Sequence, residues 1–221
     1  MRGSELDLCL SMGYFRMQQD IFTCRFIPFE DRLCPVHWLR ITLAKVEYGK
    51  DQLRLLRVNA RFSVTIKPLV FSEDLTTLYT VYRASINFDA PESVESCLLG
   101  GGNYNAFETY AIEVRDENQL IAVGIFDNGS RSIAGIMNFY HPAYRKYSLG
   151  KYLMLLKTNY ARSQQKMYYY PGYLASNYDK FNYKLFTCEA ATEVFDSNSG
   201  FWYPFTWEIV NFLSAEMMEQ G

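Results

Sequence analysis

Several features that mark common protein classes are missing from this chain of 221 residues. No stretch approaches the roughly 20 consecutive apolar residues that a membrane-spanning helix needs. The first eight residues, MRGSELDL, contain no apolar run of the signal-peptide type. We therefore expect a soluble, cytoplasmic protein that has no membrane partner.

Cysteine pairs at metal-binding spacing are also missing. The five cysteines are Cys9, Cys24, Cys34, Cys97 and Cys188, an odd number without a Cys-x-x-Cys pair. Zinc sites that are local in sequence usually contain such pairs, and disulfide frameworks use an even number of cysteines. The sequence therefore predicts reduced thiols, no zinc, no iron–sulfur cluster and no other cofactor.

An excess of basic residues is missing too, since 22 Lys and Arg stand against 24 Asp and Glu. A broad nucleic-acid-binding surface usually makes a domain basic, so any RNA contact must rest on a local patch. The first candidate patch consists of Lys45, Lys50, Arg54, Arg57, Arg61 and Lys67, and the second of Arg145, Lys146, Lys151 and Lys157. Both patches are also consistent with ordinary solvated faces.

Aromatic residues, by contrast, are abundant. The chain has 18 Tyr, 16 Phe and 3 Trp, which together make 17% of its residues. Most of them are expected in the core, because aromatic side chains bury large apolar areas. The tyrosine hydroxyls need polar partners as well, and a tyrosine-lined cleft would supply them.

The hydrophobic pattern is weak before residue 60 and regular after it. Near the N-terminus it predicts a strand over 36–41 and a helix over 50–59. Ser72 and Asp89 are suitable N-caps for helices, and Asn128-Gly129 is a strong hairpin signal. The expected elements downstream are strands over 61–68, 107–114, 120–126, 133–140, 167–170 and 183–186, and helices over 72–87, 89–99, 148–162 and 205–218.

The order of these elements indicates a fold class. An antiparallel meander is followed by a helix and a further strand, which makes a right-handed β-α-β crossover. This is the order of the acetyltransferase (GNAT) fold, so we expect an α/β (α+β) protein with a central mixed sheet flanked by helices. A smaller N-terminal region over 1–60 would precede a GNAT-like domain over 61–221.

Five short blocks follow one another between residues 107 and 186. They are 120–127 (LIAVGIFD), 139–144 (FYHPAY), 148–152 (SLGKY), 169–173 (YYPGY) and 180–184 (KFNYK). In order and approximate spacing they resemble the blocks LIAVGVxD, FYDPxY, SLGxY, YYLGYY and KMxYK of the arginyl-tRNA–protein transferases. The resemblance implies the GNAT-like fold independently of the element order.

The chain also differs from that family. His141 stands at the family's aspartate, Asn87 at a histidine, and residues 187–190 replace an R-P-S-x-x-L motif. Family members carry cysteine pairs near the N-terminus that are implicated in metal or iron–sulfur binding. The resemblance therefore implies that residues 1–60 correspond to the family's N-terminal domain without its cysteine pairs.

The resemblance implies an aminoacyltransferase. Its partners would be aminoacyl-tRNA and the N-terminus of a protein substrate, and it would transfer arginine or leucine to the terminal amine. The alternative is a non-catalytic GNAT-fold descendant, or a binding module, that has lost the activity. An acyl-CoA-dependent acetyltransferase is disfavoured, because the full Q/R-x-x-G-x-G/A phosphate-binding pattern is absent.

Asp127, Tyr170 and Tyr173 are the candidate catalytic residues, and we expect them to line one concave pocket. Since the tRNA ester is already activated, alignment, a proton acceptor and a donor to the oxyanion suffice. Asp127 would bind a cationic aminoacyl group, or it merely begins an Asx turn. Candidate substrate contacts are Phe107, Tyr110, Tyr140, Tyr144, Leu149, Gly150, Gly172, Tyr183 and Lys184, and candidate RNA contacts are Arg54, Arg57, Arg61 and Lys151.

Overall fold

The computed structural model describes residues 1–29 and 32–219. Its helices are α1 (Gly3–Ser11), α2 (Lys50–Asn59), α3 (Glu73–Ala84), α4 (Val94–Leu99), α5 (Leu149–Ser163) and α6 (Trp207–Glu219). Its strands are β1 (Phe15–Met17), β2 (Asp20–Phe22), β3 (Phe26–Phe29), β4 (Arg32–Thr42), β5 (Ser63–Pro68), β6 (Thr109–Asp116), β7 (Gln119–Asn128), β8 (Ser132–Tyr140), β9 (Tyr168–Ala175), β10 (Thr192–Phe195) and β11 (Trp202–Pro204). Short 3-10 helices cover Leu43–Lys45, Pro142–Tyr147, Asp179–Phe186 and Glu189–Ala191.

Nine strands of the described residues form one mixed sheet, in the order β11-β10-β4-β9-β8-β7-β6-β5 with β3 beside β4. Strands β5 to β8 are consecutive antiparallel neighbours. Strand β9 returns parallel to β8 after α5 has crossed between them. The meander, the crossover and the mixed α/β class that the sequence predicts are therefore confirmed.

Strand β4 ties the N-terminal residues into this sheet. It lies between β9 and β10, and its residues from Cys34 to Leu39 are all buried. A strand that is buried on both faces is typical of the middle of a sheet covered by helices. The predicted regions 1–60 and 61–221 thus share one sheet, and their division stays a proposal about family resemblance.

Helices cover both faces of the sheet next to β7. Successive side chains of a strand point to opposite faces, so Ala122 and Phe126 pack on one side with α5 and the partly buried leucines of α2. Val123 and Ile125 pack on the other side with α3 and α4. Both faces of β7 are therefore covered by helices, and β8 is held along the edge that pairs with β7.

Three of the predicted elements differ clearly from the structure, and α1, β1, β2, β3, β10 and β11 were not predicted. Helix α4 begins at Val94 rather than near Asp89, because the Ser93 hydroxyl accepts the Ser96 N–H at 2.9 Å as N-cap. Residues 183–186 belong to a 3-10 helix and not to a strand. The strand over 167–170 does not end at Pro171-Gly172, because Gly172 adopts a φ of 104° and β9 continues to Ala175.

The cysteines are free thiols. Among residues 1–29 and 32–219, no group of three or more His, Cys, Asp or Glu is placed to hold a metal ion. No helix in the same ranges is long and apolar enough to cross a membrane.

Candidate functional site

A cleft opens where β8 and β9 part. The two strands pair through only three residue pairs, the last of which is Ala134 with Tyr170. Beyond that pair β8 continues beside β7 to Tyr140, and β9 continues beside β4 to Ala175. The space between them has a volume of about 960 Å³ and is also bordered by β1, α5 and the 3-10 helix Asp179–Phe186. Its walls carry both polar and aromatic side chains, among them Tyr173, one of the predicted catalytic residues.

Two irregularities accompany this opening. On β8, Gly135 pairs with Phe126 and Met137 with Ile125, so Ile136 is an extra residue and forms a bulge. On β9, Tyr170 and Pro171 stand opposite the single residue Arg40. Bulges bend a strand and increase its twist, which lets β8 and β9 diverge.

Gly172 is the residue that the β9 irregularity requires. Its φ of 104° lies in a region that side-chain-bearing residues rarely adopt. A Cβ at this position would also lie 3.3 Å from Lys184 Cε. Glycine therefore serves both the backbone course and the close approach of Lys184.

Aromatic rings form one wall of the cleft. Phe15 of β1 stacks on Trp38 of β4 with ring centroids 3.7 Å apart, and Trp38 meets the edge of Tyr173 at 5.1 Å. All three side chains line the cleft. Because they come from three strands, the wall exists only when the N-terminal residues are folded onto β4 and β9.

Lys184 is the cationic group of this wall. It is 8% exposed, and its Nζ donates to Tyr173 O at 2.9 Å. Burial lowers the pKa of Lys184 to about 7, while the ring faces of Phe181, Tyr173 and Tyr183 at 4.1–5.2 Å favour the ammonium form. Within the described residues Tyr173 O is its one acceptor, so the remaining hydrogens of Nζ are available to a ligand.

A second buried lysine lies in the floor of the cleft. Lys157 projects from α5, is 1% exposed and borders the cleft beside Asn138. Burial lowers the pKa of its amine to about 7. The prediction that Lys157 belongs to a basic surface patch is wrong, because Lys157 lies four residues after Leu153 and eight after Leu149, on the buried side of α5.

Asp127 does not line the cleft. Its Oδ1 accepts from Arg16 Nη1 at 2.8 Å and from the Thr109 hydroxyl at 2.5 Å, and its side chain is fully buried. Burial raises the pKa of the Asp127 carboxyl, and the Arg16 guanidinium opposes that rise. A carboxylate that already has a cationic partner cannot receive the cationic aminoacyl group proposed for it.

Arg16 itself has no donor to spare. Each of its five N–H groups has an acceptor, which are Gln18 O, Thr109 Oγ1, Asp127 Oδ1, Leu98 O and Asn105 Oδ1. Its guanidinium also covers the ring of Phe107 at 4.2 Å. Arg16 thus fixes the β1–β2 hairpin against the end of β7 and the start of β6.

The predicted catalytic trio is therefore divided. Tyr173 lines the cleft, whereas Tyr170 is 1% exposed and packs in the cluster of Phe15, Trp38 and Trp202. The rings of Phe15 and Trp202 pack against Tyr170 at centroid distances of 6.0 and 5.6 Å, and no local pattern indicates these partners because they lie far away in the chain. The expectation of one pocket for all three residues is wrong for Tyr170 and Asp127.

Among the predicted substrate contacts, Gly172, Tyr183 and Lys184 line the cleft with Tyr173. The others among the described residues lie elsewhere, in packing positions: Phe107 under Arg16, Tyr110 against Phe126 and Tyr160, Tyr140 against Tyr82 and the backbone of Gly150, Tyr144 bonded to Asp116, and Leu149 in the core. Most of the aromatic residues that were predicted as substrate contacts therefore pack against other side chains instead.

The predicted RNA contacts share one region. Arg54, Arg57 and Arg61 are exposed on and just after α2, and Lys151 is exposed on α5. Lys151 Nζ lies 4.6 Å from the ring of Phe186, whose carbonyl accepts from Gln52 of α2 at 2.6 Å. The two helices therefore present their basic residues from adjacent positions, outside the cleft.

Two residues of the site, Arg16 and Lys157, were not recognised from the sequence. Arg16 has partners as far as 111 residues away, so no local pattern indicates them. Lys157 had a usable signal, since a lysine among apolar residues at i, i+4 and i+8 points into the core.

Comparisons with known proteins cover most of the residues of this site. The family model described as arginine-tRNA-protein transferase, C terminus, matches residues 71–188. Aspartate/glutamate leucyltransferases from Nitrosococcus oceani and Hahella chejuensis are 28% and 27% identical over 152 residues, which is 66% of this chain. The chain spans 62% and 63% of the length of these curated relatives.

Solved structures with a similar chain path include L-PGS from Bacillus licheniformis, at 14% identity and a TM-score of 0.45. It matches 81% of this chain and 53% of its own. FemX is similar at 10% identity and a TM-score of 0.43, over 80% of this chain and 61% of its own.

Proposed function

Because the chain belongs to the arginine-tRNA–protein transferase family, by a match over more than half of its residues, we propose that it is an aminoacyltransferase. It transfers an amino acid from aminoacyl-tRNA to the N-terminal amine of a protein. The observation that carries this proposal is the cleft between β8 and β9, with Lys184 in an otherwise aromatic wall.

The reaction forms one amide bond and breaks one ester bond. The acceptor's amine attacks the ester carbonyl, and the C–O bond to the terminal ribose of the tRNA breaks. Lys184 is suited to take the proton that the amine loses and to return it to the ribose oxygen, because a base works best when its pKa is near the operating pH. Alignment of amine and ester in the cleft contributes the larger part of the acceleration.

The proposed roles of the other residues follow from their positions. Tyr173, Gly172 and Tyr183 contact the substrates, as their places in the cleft wall support. Asp127 acts only through Arg16, which holds the β1–β2 hairpin. Tyr170 supports the wall from behind, since its ring meets Phe15 at 6.0 Å.

The lining favours an apolar aminoacyl group, and we propose leucine rather than arginine. In the aromatic wall a guanidinium would meet the amine of Lys184 rather than a carboxylate, because Asp127 lies outside the wall and the carboxylates that border the cleft, Asp89 and Glu92, belong to the exposed segment before α4. A leucine side chain would instead bury apolar area against rings such as Trp38. The name of the relatives, aspartate/glutamate leucyltransferase, supports the same choice and an acceptor with an acidic first residue.

The test is a transfer assay with labelled leucyl-tRNA and arginyl-tRNA and with peptides that begin with Asp, Glu, Arg or Lys. We expect leucine on the acidic peptides and a loss of about 100-fold or more in Lys184→Met, the range for removing a general base. Lys180→Met is the matched control, because Lys180 is an exposed residue of the same 3-10 helix.

Transfer of arginine but not leucine would overturn the choice of amino acid. No transfer with either tRNA, together with retained tRNA binding, would favour the non-catalytic alternative. Equal activity of Lys184→Met and Lys180→Met would remove Lys184 from the reaction.

A further inference from the structure

Lys157 is a buried amine whose ammonium form has a complete set of acceptors. Its Nζ donates to Ile125 O at 2.7 Å, to Asn138 Oδ1 at 2.9 Å and to Met137 O at 3.3 Å. These three acceptors match the three hydrogens of an ammonium group. The arrangement compensates a charge whose burial would otherwise be costly.

The acceptors lie at the bulge of β8. Ile125 of β7 and Met137 of β8 are register partners at the point where the pairing of the two strands shifts around Ile136. Each bulge interrupts the ladder of backbone hydrogen bonds. Lys157 joins the two strands at this interruption, from the α5 side, with one side chain.

The space for this lysine is built into β7. A Cβ at Gly124 would lie 3.2 Å from Lys157 Cε and 3.1 Å from Asn138 Oδ1. Gly124 has no φ that demands glycine, so its lack of a side chain serves the passage of Lys157. Gly124, Lys157 and Asn138 therefore form one structural unit beneath the bulge.

We propose that Lys157 is a positioning residue of the transfer reaction. By holding the carbonyls of Ile125 and Met137 it fixes the bulge, so that a peptide N–H of residues 135–137 faces the cleft and donates to the ester carbonyl oxygen in the transition state. After Ala134 the side of β8 that faces the cleft has no strand partner among the described residues, which leaves such a donor free. This inference rests on the proposed function.

The first test compares Lys157→Met with Lys157→Gln. Loss of a donor to the oxyanion lowers kcat by about 100- to 1,000-fold, so we expect kcat of Lys157→Met to fall by that factor while KM for aminoacyl-tRNA stays within about twofold. The Gln side chain keeps two donors and should restore part of kcat. Lys166→Met is the control, because Lys166 bonds to Gly129 O and Ser130 O in the β7–β8 turn, away from the cleft.

A second test does not depend on activity. Amide hydrogen exchange at residues 135–138 should rise by about tenfold or more in Lys157→Met, while exchange in β6 stays unchanged. Gly124→Ala should produce the same local change with the lysine still present. If Lys157→Met fails to fold, Lys157→Gln and Gly124→Ala carry both measurements.

The outcomes separate the two proposals. A wild-type protein without transfer activity contradicts the proposed function, whereas exchange at residues 135–138 still tests the holding of the bulge. Wild-type kcat in Lys157→Met, or unchanged exchange at the bulge in both Lys157→Met and Gly124→Ala, overturns the role of Lys157.

Discussion

The sheet consists of two parts that are built differently. In the hairpin half, which consists of β5 to β8, each strand pairs with the strand that follows it in the sequence. The assembled half, β3, β4, β9, β10 and β11, combines strands from residues 26 to 204. The cleft lies at the three residue pairs that join the halves. A site at such a junction needs both parts in place but little pairing between them.

The core and one side chain compensate for that sparse pairing. Ile41 and Tyr169 of the assembled half pack in the same cluster as Ile112 and Phe126 of the hairpin half. Arg16 adds a polar link, because β1 packs on β4 through Phe15 while its guanidinium bonds to the end of β7. We therefore expect the halves to unfold together unless this link is cut.

Cutting the link is the most destructive of the expected changes. Arg16→Met leaves Asp127 buried without its cationic partner, which costs about 3–5 kcal/mol of unfolding free energy. Urea unfolding measures the decrease. Asp127→Asn should cost a similar amount, and the double variant should be destabilised by less than the sum; strict additivity would mean that the pair is not the link.

Acid should lower the stability of both halves together, through one residue of the assembled half. His37 of β4 is fully buried, and burial lowers its pKa to about 4 from 6.5. The folded state therefore binds fewer protons than the unfolded state between these values, so stability falls as pH drops from about 6.5 to 4. At about 1.4 kcal/mol per pKa unit the decrease approaches 3 kcal/mol.

The measurement is unfolding free energy against pH, with amide exchange followed in both halves. His37→Gln should flatten the curve in this window, and His141→Gln, which changes a partly exposed residue, should leave it. Opening of β4 on acidification while β6 stays protected would contradict the expectation that the two halves unfold together.

A matched pair of small changes tests whether one core spans both halves. Ile41 and Ile112 are each 0% exposed and belong to the same cluster. Ile41→Val and Ile112→Val should each cost about 0.5–1.5 kcal/mol, with one common unfolding transition by fluorescence and circular dichroism. Separate transitions for the two probes would show halves that fold independently.

The smallest effect on stability is expected outside both halves, on α2. Arg54→Glu with Arg57→Glu changes exposed residues and should alter unfolding free energy by less than about 0.5 kcal/mol. It should weaken tRNA binding, and the slope of log affinity against log salt should fall by about 0.9 for each duplex phosphate that the variant no longer neutralises. Unchanged binding would move the RNA interface to the region of Arg145 and Lys151.

The same division governs what the sequence could predict. Strands β6, β7 and β8 follow from alternation and from turns such as Asn128-Gly129, which are local signals. The neighbours of β4 do not, because Ile41 pairs with Thr192, far along the chain. Pairing between strands that lie far apart in the chain produces no periodic pattern in the sequence.

At the site, Tyr173 and Lys184 could be singled out because the two blocks that contain them, 169–173 and 180–184, resemble known ones. The burial of Asp127 could not, since it depends on Arg16 of a short hairpin with no strong pattern. Lys157 lies between these cases: its helical spacing indicates burial, but its bonds to the β8 bulge require the sheet register.

The stacking of Trp38 on Phe15 gives the cleft an optical reporter. Trp38 is the single tryptophan among the described residues that lines the cleft, whereas Trp202 packs over Arg40 and Trp207 is 45% exposed on α6. An aminoacyl group that displaces water beside the indole should shift its emission to shorter wavelength. Occupancy of the cleft can then be followed by intrinsic fluorescence, without a labelled substrate.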